Sequence, residues 1–275
     1  MSVIILFIIG KIVLSAGIPA SYQMYERFLY LWGPGGKVFR VDLMEETFSE
    51  MSSGFGKMKL IYKSGKKSCY LHRKSRELIV VNGKEKKKLR LSEHLPFGYA
   101  FRIFNDKIYF LLLRDSLMFE VLDLSGDSLY GFLKRDKEDS IVTAFSISRS
   151  RVIVFNPIQS TLKIYNLVSL DRATIKVEPL MLGLWGLFRG GGSLKYLGGV
   201  AEIVELDDGS ILLSCFSYPT RRSIKPLTYI MRVPDVKILK SYDDPTFLVG
   251  KLGDKLVFIT YRKGEVEIWK ESLSE

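Results

Sequence analysis

The feature that most constrains the fold is a strand-forming unit that recurs along nearly the whole chain. Each unit has an apolar run, a polar or glycine-containing connection that is short except in residues 207–235, and a second apolar run, which is the pattern of an antiparallel hairpin. The units cover residues 26–45, 66–85, 105–126, 149–169, 207–235 and 253–271. Their first apolar residues are Phe28, Cys69, Ile108, Val152, Ile211 and Leu256, so successive units begin 41, 39, 44, 59 and 45 residues apart. Hardly any segment shows a sustained helical period, so the sequence predicts an all-β fold.

Shorter apolar runs flank most of these hairpins. One run precedes the hairpin at 57–62, 99–104, 142–147, 200–206 and 246–252, and another follows at 46–51, 87–91, 128–133, 173–177 and 236–240. Four short antiparallel strands at a period of about 40 to 45 residues resemble the blades of a β-propeller. The resemblance rests on period and strand pattern, without a Trp-Asp or paired-glycine signature, so it assigns no role to any residue. It implies a six-bladed β-propeller that forms a single domain over residues 1–275.

The two ends of the chain suggest how the propeller closes. The last unit ends at residues 265–275 and has no fourth, outer strand. The apolar run at residues 3–10 is a spare strand without a unit of its own. Pairing this run with the last unit would close the ring and remove an exposed strand edge. We therefore predict that the N-terminal strand completes the last blade.

The apolar N-terminus can be interpreted either as a buried strand or as a membrane-directed segment. Gly10 and Lys11 interrupt its apolar run, and no positive charge precedes it. Six Ile and two Val among residues 3–18 favour a buried strand, and on this interpretation the protein is cytoplasmic. A membrane anchor or a signal sequence is the alternative, and it leaves contact with a membrane open.

Positive charge is concentrated in one segment of the chain. The formal net charge is +11. Residues 57–90 contain thirteen Lys or Arg and two acids, so this segment alone carries a surplus of eleven. The remaining 241 residues hold 28 bases and 28 acids and are neutral overall. A surplus confined to one predicted blade indicates a localised anion-facing surface.

The hairpin pattern predicts where this charge lies. Asn82-Gly83 suits a tight hairpin turn between the third and fourth strands of the blade. In an antiparallel blade this turn and the turn between the first two strands lie at the same edge. The predicted anion-binding residues are Lys63, Lys66, Lys67, Lys84, Lys86, Lys87, Lys88 and Arg90, while Arg73, Lys74 and Arg76 lie at the opposite edge.

The charge pattern leads to a function without catalysis. We expect a docking module that binds nucleic acid or a ribonucleoprotein through phosphate contacts, without reading base sequence. An acidic protein surface or an anionic lipid would satisfy the same charges. Lysines that merely solubilise a strand edge are the structural alternative. No cofactor is expected.

A glycine-rich apolar insertion at residues 178–199 accounts for the longest interval between units. One interpretation is a long connection that folds back over the core. The other is an arm for a protein partner, because apolar side chains and Trp anchors are typical of interfaces. The predicted partner-binding residues are Leu184, Trp185, Leu187 and Phe188. This protein-interaction scaffold is the second functional hypothesis.

Signals for catalysis or metal binding are weak. His72 and His94 are the two histidines, and neither has a nearby Ser or Cys that would suggest a triad. The glycine-rich stretches 33–37 and 54–57 lack the spacing of a phosphate-binding loop. The acid pairs within 204–210 and 242–245 favour turn chemistry first and a cation site second. A propeller hydrolase with a metal in its channel is the third hypothesis, and we predict no metal site.

The number of Cys, Asn and Gln residues gives information about the source of the protein rather than about its function. Cys69 and Cys215 both lie in apolar runs and are predicted to be buried free thiols. Two Gln and four Asn, among abundant Lys, Glu, Ile and Leu, resemble the composition of thermophile proteins.

Overall fold

A computed structural model describes most of the chain as β-strands and the turns between them. The described residues are 5–8, 11–14, 21–33, 37–51, 58–72, 75–93, 101–112, 115–136, 142, 144–157, 159–177, 197–218, 226–262 and 264–272. Within these ranges every regular element is a strand. In the same ranges, no helix has the length and apolar character needed to cross a membrane. The predicted all-β class is therefore confirmed.

The described residues form twenty-five strands. In chain order they are β1 Ile5–Ile8, β2 Lys11–Leu14, β3 Ser21–Tyr25, β4 Phe28–Trp32, β5 Val38–Asp42, β6 Thr47–Met51, β7 Met58–Ser64, β8 Lys67–His72, β9 Glu77–Asn82, β10 Glu85–Arg90, β11 Phe101–Phe104, β12 Lys107–Leu111, β13 Leu117–Asp123, β14 Ser128–Lys134, β15 Ala144–Ile147, β16 Arg151–Asn156, β17 Thr161–Asn166, β18 Arg172–Lys176, β19 Leu197–Glu205, β20 Ile211–Tyr218, β21 Leu227–Val233, β22 Lys237–Tyr242, β23 Thr246–Leu252, β24 Lys255–Arg262 and β25 Glu265–Ser272.

The strands form six antiparallel sheets in two compact units. The first unit, residues 19–140, contains the sheets β3 to β6, β7 to β10 and β11 to β14. The second unit, residues 1–18 with 141–275, contains β15 to β18, β19 to β22 and a sheet of order β1-β2-β25-β24-β23. In each sheet, strands that follow one another in the chain are also neighbours. The fold is a six-bladed β-propeller, as the repeated unit predicts.

The closing sheet combines both ends of the chain. β2 pairs antiparallel with β25, from Lys11 opposite Trp269 to Leu14 opposite Val266. This confirms that an N-terminal strand completes the last blade. The strand next to β25 is β2 rather than the run at residues 3–10, part of which forms β1 and pairs on the outer side of β2.

Burial follows the position of each strand in its sheet. In most sheets the second strand is largely buried, as in β16, where five of six residues are buried. The last strand is exposed, as in β10, where five of six residues are exposed. A strand packed on both faces needs a continuous apolar run, and one at the outer edge does not. This gradient explains why the second strands were the easiest to predict.

Bulges interrupt the first strand in three of the sheets. They lie between Leu60 and Tyr62 in β7, between Val200 and Glu202 in β19, and between Leu248 and Gly250 in β23. A bulge locally disrupts the ladder of backbone hydrogen bonds, so nearby buried backbone groups need other partners.

Two of these bulged strands receive a hydrogen bond partner from the sheet that precedes them in the chain. The indole N–H of Trp32, in β4, donates to the carbonyl oxygen of Leu60 at 2.7 Å. The backbone N–H of Leu248 donates to the hydroxyl oxygen of Ser214, in β20, at 3.0 Å. Both side chains come from the second strand of the preceding sheet, so the two sheet junctions share one arrangement.

Removing such a partner should destabilise the fold. In the Ser214→Ala variant the N–H of Leu248 remains buried without an acceptor, so we expect the free energy of unfolding to fall by about 1–3 kcal/mol. Ser217→Ala, on the half-buried end of the same strand, is the matched control and should change it by less than about 0.5 kcal/mol. Urea unfolding followed by circular dichroism measures both. Equal losses for the two variants would contradict a specific role for Ser214.

Candidate anion-binding surface

Two lysine-bearing turns of the second sheet lie side by side. One turn joins β7 to β8 at Gly65-Lys66, and the other joins β9 to β10 at Gly83-Lys84. Both glycines have positive φ, of 54° and 61°, a conformation that favours glycine. The backbone N–H of Gly83 donates to the carbonyl oxygen of Lys66 at 3.1 Å. The structure therefore brings Lys66 and Lys84 to the same edge of the sheet.

Lys63 and Lys86 lie on one face of this sheet. The pairing register places Lys63 opposite Ser68. Ser68 in turn lies opposite Val81, and Val81 lies opposite Lys86. Directly opposite residues share a face of an antiparallel sheet. The two lysines are thus separated by three strand spacings, which is roughly 14 Å.

The cations of β10 are divided between its two faces, because side chains alternate along a strand. Lys86, Lys88 and Arg90 lie on one face, at steps of roughly 7 Å. Lys87 lies on the other face, opposite the buried Val80. All four cationic residues are exposed to solvent. Arg90 lies at the end of the strand far from the Gly83 turn, so it does not join the lysines of the two turns.

The protein's own carboxylates neutralise two of the eight predicted residues. The Lys67 ammonium lies 2.8 Å from the Asp127 carboxylate of the next sheet, and both side chains are largely shielded from solvent. Lys88 pairs with Glu77 across the β9–β10 hairpin and holds the pKa of that carboxyl below its usual value. Among the residues described, no carboxylate forms an ion pair with Lys63, Lys66, Lys84, Lys87 or Arg90.

Aromatic residues contribute little exposed surface to this sheet. Tyr62 is 4% exposed, and burial raises the pKa of its phenol. Tyr70 is half-buried and lies opposite Ile79 in the interior of the sheet. Contacts made by this surface would therefore come from charge rather than from base stacking.

The predicted partner-binding arm is not described by the structure. Leu184, Trp185, Leu187 and Phe188 all lie outside the described residues, and the protein-partner interpretation of the insertion stays a prediction. Residues 197–199, at the end of the insertion, belong to β19.

The His72 side chain and the two cysteine thiols make contacts that stabilise the fold. Contrary to the expectation that His72 has no nearby Ser, its Nδ1 atom accepts a hydrogen bond from the backbone N–H of Ser75 at 3.1 Å and lies 2.7 Å from the Ser75 hydroxyl. This local contact stabilises the turn after β8. His94 lies outside the described residues. Cys69 and Cys215 are buried free thiols, as predicted, and burial raises the pKa of both.

The first acid pair is explained by turn chemistry. Asp208 accepts hydrogen bonds from the backbone N–H and the hydroxyl of Ser210 at 2.8 and 2.6 Å, and Asp207 pairs with Lys251. In the second pair, Asp244 forms an ion pair with Arg262 at 2.7 Å. Across the described ranges, no three His, Cys, Asp or Glu residues are grouped so as to hold a metal ion.

Comparison with known proteins gives fold relatives only. No protein-family model matches the chain, and no curated protein matches its sequence. Among solved structures, the chain is similar to a streptogramin B lyase, with 10% identity, a TM-score of 0.53, and coverage of 96% of this chain and 98% of that one. It is also similar to the N-terminal domain of Nup159, with 13% identity, a TM-score of 0.52, and coverage of 93% and 75%.

A third similar structure is a chain in the complex of S. cerevisiae dbp5 bound to nup159, gle1, ip6 and adp. It has 13% identity, a TM-score of 0.50, and coverage of 98% of this chain and 80% of that one. These likenesses agree with the six-bladed β-propeller. They include both a lyase and a domain in a protein complex, so the fold by itself selects neither activity.

The ion pair of Lys67 distinguishes structural from solvent-facing lysines. Lys67→Gln leaves the partly shielded Asp127 carboxylate without its cation, so we expect the free energy of unfolding to fall by about 1 kcal/mol. Lys66→Gln, one residue earlier, is the matched control and should have an effect below about 0.5 kcal/mol. Urea unfolding of both variants measures the difference. An equal effect of the two substitutions would contradict a structural role for Lys67.

Proposed function

We propose that this protein is a non-catalytic docking propeller whose second sheet binds an anionic macromolecule, with nucleic acid as the first candidate. The observation that carries the proposal is the pair of adjoining turns that present Lys66 and Lys84 together, next to Lys63. These three lysines are exposed and have no ion pair with a described carboxylate. Clustered cations of this kind raise the local concentration of an anionic partner.

The arrangement suits a phosphate backbone better than a set of bases. Lysine contacts phosphate as a point charge, and each contact releases condensed counterions. The buried Tyr62 and half-buried Tyr70 offer no open stacking platform. We therefore expect binding that is insensitive to base sequence and strongly sensitive to salt.

An acidic protein surface is the second candidate. It is favoured by the likeness to Nup159, which is found in a complex with dbp5 and gle1. A folded acidic partner would use the same lysines and add contacts of its own shape. The two candidate partners can be distinguished by which competitor, an oligonucleotide or an acidic peptide, displaces a bound RNA more effectively.

A triple variant that removes three lysine charges tests the nucleic-acid proposal. Lys63→Gln, Lys66→Gln and Lys84→Gln together should weaken binding of a mixed-sequence single-stranded RNA and lower the slope of log affinity against log salt by about 2. Fluorescence anisotropy measured between about 50 and 200 mM salt gives both the affinity and its dependence on salt. The matched control replaces Lys134, Lys237 and Lys255, three exposed lysines of other sheets, with Gln.

The control variant has the same net charge as the test variant and should retain most of the affinity. Equal losses in the two variants, or an affinity that does not change with salt, would contradict the proposed surface.

Competition separates the two candidate partners. We expect a polyuridine oligonucleotide to displace the labelled RNA more effectively than a polyaspartate peptide of equal charge, because each lysine–phosphate contact also releases counterions condensed on the nucleic acid. Anisotropy with each competitor at fixed salt measures the difference. Stronger displacement by the peptide would favour an acidic protein partner.

A further inference from the structure

A separate cavity of about 300 Å³ lies in the second unit, where the connection after β22 meets the β24–β25 hairpin. Three carboxylates and one guanidinium line it, from Asp243, Asp244, Glu267 and Arg262. This volume is at the lower end of the range for small-molecule sites, and it is much larger than a single metal ion needs.

The charges of the cavity favour a cation. Nε of Arg262 donates to Asp244 at 2.7 Å, and a second guanidinium nitrogen lies 3.9 Å from Glu267. The one positive group is thus held by two of the acids. Asp243 is exposed and forms no ion pair with any residue in the described ranges. With three acids against one base, the lining has a formal charge of −2.

Aromatic rings form a wall of the cavity. Trp269 stacks on Phe258 with ring centroids 4.3 Å apart, and the Tyr242 ring meets Trp269 edge to face at 6.3 Å. Lys240 already lies near both cavity rings, with its ammonium 5.6 Å from the Tyr242 centroid and 6.0 Å from that of Trp269. Its charge is held by both Glu271 oxygens, at 2.7 and 2.8 Å, so it does not neutralise the cavity acids. Such rings attract cations through their negative faces.

Hydrogen bonds hold the cavity walls in place. The Trp269 indole N–H donates to the hydroxyl of Thr260 at 2.9 Å, and that hydroxyl lies 3.0 Å from the hydroxyl of Thr246. The hydroxyl of Thr228 accepts from the backbone N–H of Thr246 at 2.9 Å and contacts the carbonyl oxygen of Asp244 at 3.3 Å. The connection that bears the two aspartates is therefore fixed before a ligand arrives, which lowers the entropy cost of binding.

We propose that this cavity binds an organic cation, namely an alkylammonium or alkylguanidinium group of the size found at the end of a lysine or arginine side chain. Carboxylates supply the opposite charge, and the Tyr242 and Trp269 side chains supply an apolar wall for the alkyl part. This site is independent of the lysine surface and selects ligands of the opposite charge.

The indole N–H of Trp269 provides a local signal for the test. Agmatine, which carries a guanidinium and an ammonium, is titrated into the ¹⁵N-labelled protein, and the Trp269 indole resonance is assigned with the Trp269→Phe variant. We expect this resonance to shift in a saturable way. Butylurea, a neutral compound of similar shape, is the matched ligand control and should leave it in place.

Charge variants then test where the cation binds. Asp243→Asn should weaken agmatine binding by about fivefold, the effect of losing one exposed ion pair. Asp254→Asn makes the same charge change in the turn at the other end of the β23–β24 hairpin and should leave the affinity unchanged. Equal weakening by both variants, saturable binding of butylurea, or no saturation by agmatine would overturn the proposal.

A final arm identifies the source of the cation. The peptide acetyl-Gly-Arg-Gly-amide is compared with agmatine and with the same peptide containing the neutral isostere citrulline. Tighter binding of the arginine peptide supports a protein side chain as the ligand, and tighter binding of agmatine supports a free amine. Equal binding of the arginine and citrulline peptides would overturn recognition of charge.

Discussion

The junctions between sheets depend on buried hydrogen bonds that a neighbouring sheet supplies. Bulges in β7 and β23 disrupt the backbone ladder where water does not reach, and Trp32 and Ser214 provide the missing partners. Apolar packing alone has no preferred partner, whereas these bonds require a particular side chain at a particular strand position. At these two junctions they therefore make the contact between neighbouring sheets specific.

Strand β10 carries more lysines than protection of an exposed strand edge requires. The last strands β10, β14, β18 and β22 are exposed along most of their length, yet β22 presents Ile238 and Leu239 there, and among these four strands only β10 carries a continuous cationic run. Edge protection would call for charge on each such strand. The ion pairs of Lys67 and Lys88 show that part of the surplus stabilises the sheet itself. The proposed binding function rests on the remaining exposed lysines.

Local pattern was sufficient for most of the fold, because second and third strands carry long apolar runs. The sequence does not predict β3, because Ser21–Tyr25 is half polar, and the bulges have no sequence signature. The pairing of Lys67 with Asp127 could not be predicted, since the partners belong to different sheets. For the acid pair that includes Asp243, the sequence favours turn chemistry first and a cation site second, but it does not predict the neighbouring side chains. The Trp269 and Thr260 side chains line the same cavity as this acid pair. The sequence does not predict this, because it does not show which residues of the β24–β25 hairpin lie next to the connection after β22.

The closing sheet has a consequence for biosynthesis. β2 and its partner β25 are separated by about 250 residues of chain. At a synthesis rate of roughly 5–20 residues per second, β2 waits for its partner for about 10–50 seconds. During that interval an apolar strand has a vacant edge on a ribosome-bound chain, where it can join a neighbouring nascent chain instead. Completing the last blade is therefore also the step that ends this exposure.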